Sequence, residues 1–171
     1  QMKLTFIGAD HQVTGSCHFL EVGEMKVLID CGMEQGNIQY KNAELPVPYS
    51  DIDYVFLTHA HIDHAGMLPW IYARGFRGRV IATYATVDLC GIMLRDSAHI
   101  QEMEAEWKNR KARRAGREQV EALYTTQDAE NVLEHFEGVA YGQMFKLNSN
   151  LTLRFTDVGH LLGSASIEIW A

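Results

Sequence analysis

Tyr54-Val55-Phe56-Leu57-Thr58-His59-Ala60-His61-Ile62-Asp63-His64 decides how this chain is read. An apolar run leads straight into three imidazoles and a carboxylate within positions 59–64. A short continuous apolar run reads as a buried strand. A buried strand that stops and delivers several metal-grade ligands at its tip makes a site rather than a core. The spacing His-x-His-x-Asp-His suits two neighbouring metal ions, with His59 and His61 pointing one way and Asp63 and His64 the other. Imidazole suits zinc, and a carboxylate oxygen completes a mixed nitrogen and oxygen shell. The bland alternative is a solvated histidine-rich turn or a few satisfied core histidines. That alternative suits one histidine better than four ligand-type residues in six positions.

Two further stations lie outward from this motif. Asp157-Val158-Gly159-His160 follows the strand pattern Leu151–Phe155. His160 stands next to a glycine that permits close backbone approach, which makes it a candidate third nitrogen ligand beside His59 and His61. An ordinary loop histidine is the competing reading. Asp30 ends the strand pattern Val27-Leu28-Ile29-Asp30 before Cys31-Gly32. Its carboxylate is placed to accept a hydrogen bond from a ligand imidazole or from the backbone of the histidine loop. It could equally cap a turn. Of the remaining histidines, His99 reads as part of a solvated helix face and His135 as a helix end. His11 lies in a glycine-containing loop that faces the site or does not, and His18 carries no signal.

The 171 residues suffice for one domain with a core, at 47% hydrophobic and 22% charged content. A net charge of −7 gives no global attraction to nucleic acid. One basic run does stand out: Lys108, Arg110, Lys111, Arg113, Arg114 and Arg117. It suits phosphates, or it is a solvated helix end, and pairing with Glu102, Glu104 and Glu106 competes. Cys17, Cys31 and Cys90 are scattered, which reads as buried thiols in a reduced, cytoplasmic protein. No apolar stretch reaches membrane-spanning length, and no signal peptide is expected. Gln1 before Met2 reads as an added residue. The end at Ile167–Ala171 falls in mid-strand by pattern, which reads as a cut from a longer protein.

The pattern predicts strands at Lys3–Ile7, Cys17–Val22, Met25–Asp30, Tyr54–Thr58, Arg79–Ala82, Gly138–Tyr141, Met144–Lys146, Leu151–Phe155 and Ala165–Trp170. Helices are predicted over Gly66–Arg74, Thr86–Arg114 and Thr126–His135, the last with Asp128 near its start as a cap. Cys31–Ser50 reads as loop. Strand-then-helix order with early hairpins makes an α/β layered domain.

These stations, in this order, resemble the metallo-β-lactamase fold superfamily. Within it the chain is similar to the β-CASP group of RNA-processing nucleases, such as the RNase J-like enzymes and the nuclease of the cleavage and polyadenylation machinery. Gly8 with Val13-Thr14-Gly15-Ser16 is similar to that group's first loop. Leu28-Ile29-Asp30-Cys31-Gly32 resembles its first motif. Thr58–Gly66, continued by Met67-Leu68-Pro69, resembles its second, and Asp157–Ala165 its third. The resemblance covers nearly the whole chain.

The resemblance implies an α/β fold, the first half of an αββα sandwich with a mixed β-sheet and flanking helices. Residues 1–171 would be the N-terminal part of the metallo-β-lactamase domain, truncated before the bridging aspartate and the β-CASP insertion. Half a sandwich would expose the apolar face meant for its partner layer. The resemblance places His59, His61 and His160 on one zinc and Asp63 and His64 on the other, with Asp30 supporting the histidine loop. Asp63 and Asp30 are thereby candidate catalytic residues. Two Zn2+ are expected in the full-length protein and one or fewer in this fragment, which should be inactive by itself.

The function implied is hydrolysis of RNA phosphodiester bonds, in endonuclease or exonuclease mode, through a hydroxide activated by two zincs. The implied partner is an RNA substrate, with no membrane and with a homodimer of the full-length protein allowed. Two alternatives stay open. One is hydrolysis of a small thioester, lactone or lactam by the same site, since fold does not choose between these. The other is a non-catalytic RNA-binding scaffold.

Overall fold

Strands buried on both faces organise the molecule. The computed structural model describes residues 2–8, 15–33, 45–159 and 162–171. The larger sheet has six strands in chain order: β1 (Met2–Gly8), β2 (Cys17–Val22), β3 (Met25–Ile29), β4 (Tyr54–Phe56), β5 (Arg79–Thr83) and β6 (Phe136–Val139). β1, β2 and β3 pair antiparallel, whereas β3 through β6 pair parallel. Gly23, at φ 60°, opens the two-residue turn between β2 and β3. The parallel strands need crossovers. These carry α1 (Ile62–Ala65), α2 (Leu68–Ala73), α3 (Tyr84–Ala115) and α4 (Thr126–Leu133). The second sheet is a three-stranded antiparallel meander of β7 (Met144–Asn148), β8 (Leu151–Asp157) and β9 (Ala165–Trp170).

Alternation along each strand divides the core in two. Phe19, Leu28, Val55 and Val80 are register partners across four strands, and all face the helices. There they meet Leu68, Ile71, Leu94 and Val132. The next residues along, Leu20, Val27, Phe56 and Ile81, face the other way and pack on Leu151, Leu153 and Phe155 of β8. This explains why Tyr54–Leu57 reads as an unbroken apolar run: a central parallel strand is covered on both sides. The result is a helix, sheet, sheet order of layers in the described residues, an α/β fold with a mixed sheet and flanking helices.

The elements fall close to their sequence-based positions, with three differences. β6 starts two residues earlier than expected, at Phe136. His135 therefore sits on the entry to that strand; its Nδ1 meets the Gly78 carbonyl at 2.9 Å, and its own carbonyl accepts from the Val80 amide. α4 is capped by Thr125, with Asp128 three residues in returning a bond to the Thr125 amide, so Asp128 is the reciprocal half of a capping box. Ile62–Ala65, inside the ligand motif, forms a helical turn that period reading missed.

Some exposed apolar surface lies along β1. Met2, Leu4 and Phe6 are each about half exposed, and register puts Met2 opposite Val22 and Leu4 opposite Leu20. They thus continue the face that the second sheet covers further along. No helix among the described residues is long and apolar enough to cross a membrane.

Candidate metal centre

The ligand loop leaves the C-terminal end of β4 and is tied on three sides. On the first, the Ser16 amide donates to the Asp63 carbonyl at 2.9 Å, the Cys31 amide to His64 at 2.7 Å, and the Met33 amide to Ile62 at 2.9 Å. This bundle of backbone bonds brings the loop against the segment after β3. Gly32 makes the approach feasible: a Cβ there would lie 1.7 Å from the Asp63 carbonyl oxygen. On the second side, the Ala165 amide at the start of β9 donates to the Thr58 carbonyl at 2.7 Å. On the third, the Leu57 amide donates to Ile81 in β5 at 3.0 Å.

Asp30 is the anchor beneath the loop. It is buried and holds φ 61°, a left-handed conformation that aspartate adopts more readily than most residues. Its Oδ1 accepts the Thr58 amide at 2.8 Å, and its Oδ2 accepts the Thr58 hydroxyl at 2.8 Å. Oδ2 also lies 2.7 Å from His64 Nδ1. Both bonds expected of Asp30, one from an imidazole and one from the loop backbone, are therefore present. An Nδ1–H donated to Asp30 leaves Nε2 of His64 as the lone-pair nitrogen, which is the arrangement a ligand imidazole requires.

The ligand atoms of His59, Asp63 and His64 lie within 4.8 Å of one another. The rings of His59 and His64 have centroids 3.8 Å apart, and His64 Nε2 faces Asp63 Oδ2 at 3.8 Å. His61 stands outside this group: its side chain is half exposed, its Nδ1 contacts Asp63 Oδ1, and its ring centroid is 6.3 Å from that of His59. The sequence reading put His59 and His61 toward one ion and Asp63 and His64 toward its neighbour; in the structure the donor atoms of His59, Asp63 and His64 lie together, and His61 stands against Asp63. The helical turn carries His64 back over Thr58, whose hydroxyl lies 3.4 Å from His64 Nδ1. His160 lies outside the described residues, as does His11. The flanks of the third station are described: Gly159 donates to Asp157 Oδ1 at 2.8 Å, and the Gly163 carbonyl accepts from both Thr83 and Thr86 hydroxyls at 2.7 and 2.9 Å. These two threonines hold that loop to the start of α3, and the Tyr141 hydroxyl, donating to the Ser164 carbonyl, ties it to the segment after β6. Sequence reasoning overlooked all three.

Burial pulls the His64 imidazole toward neutrality, but the bond to Asp30 and the charges of Asp30 and Asp63 outweigh it and raise its pKa. Burial pushes Cys17 up to about 12 and Cys31 well above its ordinary range, with the Asp30 charge adding to both. The donor set is thus two imidazoles and a carboxylate from one loop, with the outer nitrogen of His64 already engaged, and it fits a divalent cation.

A family model described as a metallo-beta-lactamase superfamily domain matches residues 19–171. The chain belongs to that superfamily. Its fold implies binding of a divalent metal, and the cluster at His59, Asp63 and His64 is where the described residues offer it. The chain is similar to ribonuclease TTHA0252 of Thermus thermophilus, with 37% identity over 97% of this chain and 34% of that protein. It is also similar to transcription termination factor FttA of Methanocaldococcus jannaschii, with 28% identity over 96% of this chain and 24% of that protein. The chain therefore spans about a third or less of the length of these relatives. Among solved structures, a HARLDQ-motif mutant of a Cronobacter sakazakii metallo-beta-lactamase matches with a TM-score of 0.57. That match has 20% identity and covers 99% of this chain and 59% of the other, which establishes the superfamily fold.

Proposed function

We propose that this chain supplies the first metal-binding half of a zinc-dependent ribonuclease of the β-CASP group, and that its substrate is RNA. The observation that carries the reading is the His59, Asp63 and His64 cluster, held from beneath by Asp30 at the tip of a buried parallel strand. The similarity to a protein named as a ribonuclease supports hydrolysis of a phosphodiester. In this reading His59, His61 and His160 serve one zinc, and Asp63 and His64 the other. The mixed imidazole and carboxylate donors suit zinc better than magnesium or calcium, which prefer oxygen alone.

When bound, the metals would supply Lewis acidity and neutralise charge at the scissile phosphate. The chain's own residues do the positioning. Asp30 fixes the ring of His64 and, through Thr58, the start of the loop. Asp63 has one carboxylate oxygen against His61 and the other 3.8 Å from His64 Nε2; in this reading it would orient an attacking water beside the ligands.

The test uses the full-length protein. A labelled RNA is incubated with the wild type and with His61→Ala, and zinc content is measured by elemental analysis for both. Cleavage by the wild type and none by the variant is expected. Undiminished cleavage by the variant, with its metal content known, overturns the reading.

A further inference from the structure

The C-terminal turns of α3 carry a feature that the metal centre does not use. Lys108, Arg110, Lys111, Arg113, Arg114 and Arg117 put six cations within ten residues of a chain whose net charge is −7. All six are exposed, and among the described residues none takes part in an ion pair. The acidic residues that compete for them on paper are otherwise placed. Glu102 is engaged by Thr126, and Glu104 and Glu106 form no ion pair in the described residues. A helix end attracts cations to its last turn. That effect accounts for Arg113 and Arg114 but not for Lys108, Arg110 and Lys111, which lie further back.

An exposed aromatic stands among the charges. Trp107 is 53% exposed, and Lys111 Nζ lies 3.7 Å from its ring centroid. Trp107, Arg110, Lys111 and Arg114 recur at i, i+3, i+4 and i+7, so they share one helix face. The platform is held rigidly. Gly116, at φ 65°, ends α3, and the Arg117 amide returns to the Ala112 carbonyl at 2.9 Å. The side chain of Asn109 clamps Val120 through both its amide and its carbonyl, at 2.7 and 2.8 Å. The adjacent groove, of about 520 Å3, carries Asp96, Glu104 and Glu121 in its lining, together with Lys108.

We propose that this face of α3 is a docking site for single-stranded nucleic acid, with Trp107 stacking on a base and the flanking cations on consecutive phosphates. An exposed aromatic interleaved with unpaired cations is the composition that sequence-tolerant single-strand binding requires. The choice of RNA as the natural ligand rests on the ribonuclease reading; the docking site itself does not.

The probe is a fluorescent 20-nucleotide oligouridylate, and binding to the full-length protein is followed by anisotropy across a salt series. EDTA is present throughout, so cleavage plays no part. The variants are Trp107→Ala and the combination Arg110→Gln, Lys111→Gln, Arg113→Gln and Arg114→Gln. Glutamine matches both cations in helix propensity, so α3 is kept. Loss of four phosphate contacts lowers the slope of log K against log salt by about 3. Loss of one stacking partner weakens binding by about 5- to 150-fold. An unchanged slope in the combined variant, or unchanged affinity in Trp107→Ala, overturns the proposal, as does a wild type that does not bind. A face made for a protein partner would give those negative results. Binding is read with cleavage suppressed and cleavage is read separately, so a failed cleavage assay and a failed docking site are told apart.

Discussion

Asp30 and His64, thirty-four positions apart in the chain, meet at 2.7 Å between Oδ2 and Nδ1 beneath the ligand loop. The same carboxylate takes the amide and the hydroxyl of Thr58, so one buried side chain fixes both ends of the histidine motif. Asp30→Asn tests this without disturbing the backbone, because asparagine also tolerates a left-handed conformation. The amide replaces an acceptor by a donor against groups that all donate. A loss of about 1–3 kcal/mol of stability is expected in urea denaturation. Metal affinity in a zinc titration should fall about 10–100-fold, as for other residues that orient a ligand histidine. Unchanged affinity would mean that His64 needs no such support.

Gly32 faces the loop from the other side, where a methyl group would strike the Asp63 carbonyl. Backbone cannot swing aside as a side chain can. Gly32→Ala should cost about 3 kcal/mol, at the upper end for overpacking, and should lower metal uptake. Thermal melting and elemental analysis read both. A variant with wild-type melting temperature and metal content would contradict the close approach.

The Gly163 carbonyl offers a different test, because two buried hydroxyls share it. Thr86→Val leaves the Thr83 bond and should cost about 1 kcal/mol. Removing both hydroxyls with Thr83→Val and Thr86→Val leaves a buried carbonyl unpaired, and the pair should cost more than the sum of the singles. Chemical denaturation of the three variants forms the cycle. Simple additivity would mean that the loop finds another donor.

Glu102 sets an acid limit on stability. Accepting the Thr126 amide and then its hydroxyl, at 2.9 and 2.8 Å, holds its carboxyl below the ordinary value of 4.5. A depressed carboxylate contributes stability that is present above the unfolded value and lost as pH falls through the folded one. Glu102→Gln should therefore cost about 1 kcal/mol at neutral pH. That difference from the wild type should shrink below about pH 4.5. Parallel urea melts from neutral pH to about pH 3 check it, and a constant difference would show that the charge is not involved.

Several features were legible in the residues alone because they are local. The apolar run Tyr54–Leu57 announces a strand covered on both faces, and the histidine motif announces a cluster of candidate donors at its tip. Period-2 and period-3.6 patterns place the strands and long helices to within a few residues. The metallo-beta-lactamase assignment also follows from short motifs in order. Asp30 was legible only as a choice between two roles, since a strand-ending aspartate before Cys-Gly suits either. What decided it is a contact across thirty-four residues.

The rest belongs to tertiary structure. Spacing alone pairs His59 with His61, because alternate residues of an extended chain share a side. The turn at Ile62–Ala65 ends that alternation and also brings Asp63 and His64 within reach of His59. Thr83, Thr86 and Tyr141 are ordinary residues in the sequence and become anchors only when the Gly163 loop folds onto them. The six cations near the end of α3 read as ready to pair with the preceding glutamates, and only the folded chain leaves them free of ion pairs among the described residues. Sequence determined the donors, the strands and the family, all of which are written in neighbouring residues. Geometry determined which donors meet and which charges stay unpaired, because those depend on contacts between segments that the chain brings together only on folding.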